Sequence, residues 1–395
     1  MNPILKRVLK ILAWIVGVLV VLILTLVLYI NAAWDNPVNR RVPQMSAPRD
    51  SAHIARGEFL YTNSALCWMC HGQNQSPVGP PSGGFVEDLR DLGPGFGLWY
   101  IPNITPDEQT GIGSWTDGEL VRLLREGIKK DGRPVFIMPS ERFHGMSDED
   151  VLSIIAYLRS LPPVNNPVPA HQPSLLAKAL FTFGVMKPRP EVMGPVPTPQ
   201  KGITAEWGKY ITEHATPCLD CHSPVDLNTG QFYPDSALTG GNIPFGKKGP
   251  GQQVDAPAFA YGPNLTPDPE TGIGSWTEEQ FLLAVRTGTR PDGRVLTNHM
   301  PYAYFGLWPE DDAKAVYQYL MSLKPVRKRV PPVELRPDIT ATQGVPRGGA
   351  IFKTYCQGCH GVAGAGAPPT KLILADLAQT IDDATLKKFI QEGQL

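Results

Sequence analysis

Residues Ile11 to Ile30 form an unbroken run of twenty uncharged, overwhelmingly apolar positions. At about 1.5 Å of rise per residue this run makes roughly 30 Å of helix, the thickness of a bilayer's hydrocarbon core. A cleaved secretory signal has a shorter apolar region, about 7 to 15 residues, that ends at a small-x-small site. Here Ala32 and Ala33 have Ile30 and Asn31 two positions upstream, so an uncleaved anchor over residues 1–34 is expected. No second uncharged run approaches this length, which places everything after Trp34 on one side of the membrane. Lys6, Arg7 and Lys10 before the span compete with Arg40, Arg41 and Arg49 after it, so charge alone does not orient it.

Elsewhere the apolar positions keep helical spacing only in short stretches. Asp148 to Leu161 and Glu310 to Leu323 predict amphipathic helices, the first with Val151, Ile154, Ile155 and Leu158 on one face. Ser174 to Met186 is apolar and helix-capable but too short to span a bilayer. It docks on a partner or the membrane surface, or packs between domains. Glycine (39) and proline (41) make up about a fifth of the chain, which predicts short helices among long irregular connections. With 42% hydrophobic residues the chain buries a core, which excludes wholesale disorder. The 36 basic and 37 acidic residues nearly cancel, so no bulk field argues for nucleic acid as a partner.

All six cysteines fall in three copies of Cys-x-x-Cys-His: Cys67, Cys70 and His71; Cys218, Cys221 and His222; Cys356, Cys359 and His360. This pattern is that of a c-type haem attachment site. Two thiols add to the porphyrin's vinyl groups, and the adjoining imidazole reaches the iron from the same helical turn. A disulfide has no use for a histidine after every pair, and paired zinc motifs sit far closer together than Cys67, Cys218 and Cys356. A thioredoxin-like site expects one motif in a βαβ context. Three covalently bound haem c groups, each with an iron, are therefore expected.

The segments after the first two motifs repeat. Asn103-Ile-Thr-Pro-Asp107 matches Asn264-Leu-Thr-Pro-Asp268, and Thr110-Gly-Ile-Gly-Ser-Trp115 recurs unchanged at Thr271 to Trp276, both 161 positions on. Met138-Pro139 returns as Met300-Pro301, and Ala156 to Val164 as Gln318 to Val326. One unit has been duplicated. A thioether is a soft axial ligand that favours ferrous iron and raises the potential, so Met138 and Met300 are the expected sixth ligands beside His71 and His222. Met146 competes in the first copy, where the second has Leu307 and Trp308, and His299 competes in the second, where the first has Ile137. Trp115 and Trp276 lie beside the haems or serve packing. The Asn-x-Thr-Pro-Asp and Thr-Gly-Ile-Gly runs either donate hydrogen bonds to propionates or scaffold their loops.

A third unit opens around Cys356, and Leu386 to Gly393 resembles Leu120 to Gly127. No methionine follows Met321, and only Gln394 and Leu395 follow Gly393. Either the sequence stops before its last ligand loop, the preferred expectation, or the third iron keeps an open or externally filled position.

With these motifs the chain, from about Asp50 onward, resembles the membrane-associated triheme cytochrome c subunits of bacterial alcohol, aldehyde and gluconate dehydrogenase complexes. The resemblance implies a subunit that accepts electrons from a catalytic partner and passes them to quinone or a terminal acceptor. The firm N-terminal anchor and the missing third methionine depart from that family. By likeness to c-type cytochromes, the haem domains belong in the periplasm and the chain in the bacterial inner membrane as a single-pass protein. The expected fold is mostly α: the transmembrane anchor (1–34), then tandem cytochrome c-like domains with long irregular loops, at 50–164, 201–326 and, incomplete, 346–395. A proline-rich connector at 165–200 and a linker at 327–345 separate them. No catalytic residues are expected, since the first reading is a carrier of single electrons, fed by a dehydrogenase or other respiratory donor and drained by quinone or a partner such as a terminal oxidase. The alternative is a peroxidase-like multihaem enzyme, or a ligand-binding protein, with an open third haem.

Overall fold

The computed structural model describes residues 3–90, 95–229, 231–243, 258–297, 299–332 and 334–335. The third motif, Cys356 to His360, and the unit around it lie outside the described residues. Helix α1 runs from Pro3 to Ala33, and its apolar side chains are exposed along nearly its whole length. A helix apolar on every side and unburied by protein suits lipid as its surroundings, and it is the one helix among the described residues long and apolar enough to cross a membrane.

The rest is mostly helical. The first repeat contains α2 (Ser51–Phe59), α3 (Trp68–His71), α4 (Asp117–Glu126), α5 (Ser140–Phe143) and α6 (Asp148–Ser160). After α7 (Leu175–Thr182), the second repeat supplies α8 (Ala205–Tyr210), α9 (Cys218–His222), α10 (Glu278–Thr287), α11 (Tyr302–Phe305) and α12 (Glu310–Ser322). Three short strands, β1 (Val86–Asp88), β2 (Gly97–Tyr100) and β3 (Gln172–Pro173), form an antiparallel sheet in that order. A second ladder pairs β4 (Ala258–Phe259) with β5 (Glu334–Leu335).

Local chemistry sets the same boundaries twice. Thr116 and Glu119 form a reciprocal cap at the start of α4, and Gly127 ends it at φ 71°. Thr277 and Gln280 do the same for α10, which ends at Gly288 with φ 76°. In each repeat the first helix crosses the last at a glycine. A Cβ on Gly57 of α2 would lie 1.9 Å from the Ser153 carbonyl oxygen of α6, and one on Gly208 of α8 would lie 1.9 Å from that of Ala315 in α12. Only a hydrogen in place of a side chain lets these backbones approach so closely. On α6, Val151, Ile154, Ile155 and Leu158 are all buried, as the spacing predicts.

One core runs through both repeats, joining Leu60, Val121 and Ile155 of the first to Trp207, Phe281 and Leu320 of the second. The contact between repeats is reciprocal. Both α2 and α8 continue into a π-turn, Leu60–Ser64 and Ile211–Ala215 respectively. Helix α5 of the first repeat packs on the π-turn of the second, and α11 of the second packs on the π-turn of the first. Trp308 Nε1 donates to the Asn63 carbonyl oxygen at 2.8 Å, and the Trp68 and Tyr304 rings lie 4.8 Å apart. From the other side, Tyr210 Oη donates to Asp150 Oδ2 at 2.7 Å, a carboxylate already held by Arg56 through two hydrogen bonds. The phenol and carboxylate are both buried, so Tyr210→Phe is expected to cost about 1.5–3 kcal/mol, the usual range for a hydrogen bond to a charged group. Denaturant unfolding of the holoprotein measures it, and an unchanged midpoint would contradict it.

The 165–200 connector folds back on the first repeat rather than hanging free. Arg189 N donates to Glu126 O at 3.0 Å, Val192 N to Glu126 Oε1 at 3.1 Å, and Asp148 N to Val196 O at 2.9 Å. Glu126 is almost wholly buried, and burial pushes its carboxyl up, against the Val192 amide and the Arg40 charge that pull it down.

Candidate functional site

The two described Cys-x-x-Cys-His segments are single helical turns, each following a π-turn. The extra residue in a π-turn widens the helix and redirects the chain. Thereafter Cys67 caps α3, with the His71 amide bonded to the Cys67 carbonyl at 2.9 Å. In the second copy, Cys218 begins α9 and Thr216 Oγ1 lies 3.0 Å from its sulfur. The four thiols are unbridged. Burial pushes Cys67 and Cys221 up to about 12 and Cys70 and Cys218 up to about 11, with the Arg142 charge opposing burial at all four. The four cysteines are half-buried and their raised values keep the thiols neutral, and their disposition in pairs beside an imidazole is what thioether attachment requires.

The two histidines are held alike. His71 Nδ1 lies 2.9 Å from the Pro102 carbonyl oxygen, and His222 Nδ1 lies 2.8 Å from that of Pro263. A carbonyl oxygen only accepts, so each ring carries its proton on Nδ1, and Nε2 is left with its lone pair. Burial pushes both imidazoles down from their ordinary value, which favours this neutral form. A neutral imidazole oriented by a backbone carbonyl and presenting Nε2 is the donor an iron takes, and the second hydrogen bond fixes its tautomer and plane. The donor set therefore fits haem c at both places.

The Asn-x-Thr-Pro-Asp runs hold those carbonyls in place. Asn103 Nδ2 donates to Val164 O at 2.8 Å and to Thr110 Oγ1 at 3.0 Å, while its Oδ1 accepts from the Thr105 amide and hydroxyl. Asn264 makes the same four contacts with Val326, Thr271 and Thr266. Asp107 and Asp268 each accept from the amide and hydroxyl of the threonine three residues on. These polar groups bond within their own loops and to the chain just beyond α6 and α12, so of the two readings open in the sequence the structure supports scaffolding: they pin the residue that follows each histidine-binding carbonyl. Trp115 and Trp276 are half-buried against the common core, and the Arg290 guanidinium lies 5.5 Å from the Trp276 ring.

Met138 and Met300 occupy matching positions. Each precedes a proline, and each carbonyl accepts from the amide two residues on, Ser140 at 2.7 Å and Tyr302 at 2.8 Å, at the start of α5 and α11. Both side chains are half-buried and lie against the core that the haem-binding turns share. Met146 is wholly buried among core residues, and Arg125 Nη2 donates to its carbonyl at 2.5 Å. Its side chain packs in the core shared by the two repeats.

Sequence reasoning missed Arg142. It lies on α5, four residues after Met138, and is 6% exposed. Its Nη1 is 3.5 Å from Asp220, inside the second Cys-x-x-Cys-His motif, and its Nη2 donates to Ala65 O at 3.4 Å, just before the first. The His214 ring binds its carbonyl through Nδ1 at 3.0 Å. One guanidinium thus bridges both attachment turns. Only the partners, distant in sequence, distinguish it from a surface arginine.

Residues 54–162 match the family model "Cytochrome c", and residues 343–395, which include Cys356 to His360, match "Cytochrome C oxidase, cbb3-type, subunit III". The chain is 28% identical over 330 residues to a nicotinate dehydrogenase subunit of Pseudomonas putida, covering 81% of this chain and 26% of that protein. It is 24% identical over 348 residues to the fructose dehydrogenase cytochrome subunit of Gluconobacter japonicus, covering 80% and 66%. To the alcohol dehydrogenase (quinone) cytochrome c subunit of Gluconobacter oxydans it is 27% identical over 290 residues, covering 70% and 56%. The chain spans between about a quarter and two thirds of the length of these relatives. Two segments of the chain thus match cytochrome family models, and the chain is similar over most of its length to the cytochrome c subunits of dehydrogenases.

Proposed function

We propose that this protein is a membrane-anchored electron carrier with three covalently bound haem c groups. It takes single electrons from a dehydrogenase catalytic subunit and passes them to quinone or a terminal acceptor. Cys67, Cys70, Cys218, Cys221, Cys356 and Cys359 hold the porphyrins. His71, His222 and His360 are the first axial ligands, and Met138 and Met300 are sixth ligands. The domains at 50–164, 201–326 and 346–395 each carry one site. When bound, haem c supplies a one-electron couple whose potential a histidine and methionine pair sets high.

The single observation that carries this reading is the matched pair of buried imidazoles, each oriented by a proline carbonyl with Nε2 left as donor, beside two unbridged thiols. The chain's own residues do three things: the cysteines tether, the Asn103 and Asn264 loops fix the imidazole planes, and the shared core keeps water away and holds the two sites at a constant separation. Two sulfur-closed irons leave no position for substrate, which favours a carrier over catalysis. The names of the relatives, each a subunit of a dehydrogenase, support a dehydrogenase as donor. Periplasmic placement follows from haem c attachment, and α1 supports a single-span anchor in the inner membrane.

The test is a paired measurement on holoprotein purified from native membranes. Reversible one-electron couples with no peroxide turnover, and a dehydrogenase subunit copurifying, are expected. Robust peroxide turnover would overturn the carrier reading in favour of a peroxidase-like enzyme.

A further inference from the structure

The apolar insert between the repeats is placed at one particular height on the molecule. The apolar run of α1 ends at Ile30, the first strongly polar side chain after it is Asn31, and the first charge is Asp35. Helix α7 meets α1 there. Lys178 Nζ donates to Asn31 Oδ1 at 2.6 Å, and the Trp34 ring meets Phe181 edge-on at 6.2 Å. An indole and an ammonium at the end of a spanning helix mark the headgroup layer, where amphipathic side chains are favoured.

The inner face of α7 is accounted for. Ala177 is fully buried, and Leu180 and Phe181 join Phe96, Trp99 and Met186 in a small second core. The outer face is not. Leu175, Leu176, Phe183 and Val185 are 45%, 38%, 60% and 38% exposed, and Lys178, engaged with α1, is the only charge between Leu175 and Met186. The helix that carries this face packs against the end of α1, where Leu28 and Tyr29 are 70% and 56% exposed. Lys187 follows directly and is exposed, as suits an anionic headgroup.

We propose that α7 and the turn after it lie in the interfacial layer of the same bilayer that α1 spans, with Leu175, Leu176, Phe183 and Val185 among the lipid chains. The proposal rests on the reading of α1 as a membrane span. The occupant is lipid rather than protein, because the helix that carries the exposed face packs against the end of one whose own surroundings are lipid. An amphipathic helix in this position buries its apolar side about 5–10 Å into the headgroup and acyl boundary. A single helix leaves a domain free to swivel, and a second contact fixes its tilt. Phe136 and Ile137 pack against the same small core, so the loop that carries Met138 is held next to the bilayer surface.

The test uses the full chain with haem in nanodiscs of phosphatidylcholine and phosphatidylglycerol, with each measurement referenced to the same sample without added relaxant. A nitroxide is attached through an encoded keto side chain at Leu176 or Phe183, with Val18 as a reference in the span and Asp292 as a reference in water. Accessibility is measured to oxygen, which partitions into lipid, and to a nickel chelate, which does not. The oxygen-to-nickel ratio at Leu176 and Phe183 is expected to exceed that at Asp292 several-fold and to approach that at Val18. Ratios equal to that at Asp292, with Val18 still high, would overturn the proposal and leave the span intact. Protection from both reagents would overturn it in favour of a protein cover. A low ratio at Val18 as well would overturn the span and, with it, the proposal.

Discussion

Gly57→Ala and Gly208→Ala are each expected to destabilise the holoprotein by about 1–3 kcal/mol, although alanine is the better helix former. The added methyl group would sit 1.9 Å from a backbone carbonyl oxygen, Ser153 in one case and Ala315 in the other, and within 2.9 Å of the Cβ atoms of Tyr157 and Tyr319 respectively. A side-chain tip moves aside cheaply, but a carbonyl belongs to a helix and takes the helix with it. Pushing α6 from α2 or α12 from α8 opens the core on both sides of the contact, where Ile155 and Trp207 are almost completely buried. Helix propensity alone predicts the opposite sign, a gain of up to about 1 kcal/mol. Thermal and denaturant unfolding followed by circular dichroism separates the two. An unchanged or raised midpoint would show that these helices do not cross in contact.

The second large effect concerns potential rather than stability. Met138→His and Met300→His each exchange a soft thioether for an imidazole that stabilises ferric iron. From the ligand assignment proposed above, each is expected to lower the potential of its own site by about 0.2–0.3 V, part of the roughly 0.8 V that axial ligands command. The sulfur-to-iron charge-transfer band of that site should disappear, while the haem stays attached through its thioethers and its other axial histidine. Spectroelectrochemical titration of the two variants and the parent protein checks this. An unchanged set of potentials would remove that methionine from the coordination sphere.

The sequence displayed its chemistry more openly than its architecture. The apolar run at 11–30, the three Cys-x-x-Cys-His motifs and the repeat at 161 positions are local patterns, each tied to one physical requirement. The face of α6 was legible for the same reason, since helical spacing is a short-range property. The crossings at Gly57 and Gly208 were not, because a glycine needed for close approach looks like any other glycine until its neighbour about a hundred residues away is known. The β1–β3 sheet joins segments more than seventy residues apart with two to four residues in each strand, too short for alternation to show. The Asn103 and Asn264 runs were visible as motifs, but a side chain with two donors and an acceptor does not announce its partners. Arg142 was hidden for a related reason: its importance lies in Ala65, Asp220 and the four thiols around it, which only folding assembles.

The central claim is that porphyrin iron is tethered by thioether bonds to paired cysteines. Intact mass of the denatured native protein, combined with its alkaline pyridine spectrum, measures this directly. The account predicts a mass increment of three haems and a haem c spectrum of matching intensity, with peptide mapping that finds the adducts at Cys67 and Cys70, Cys218 and Cys221, and Cys356 and Cys359. A chain of unmodified mass that releases any porphyrin into acid acetone would contradict it.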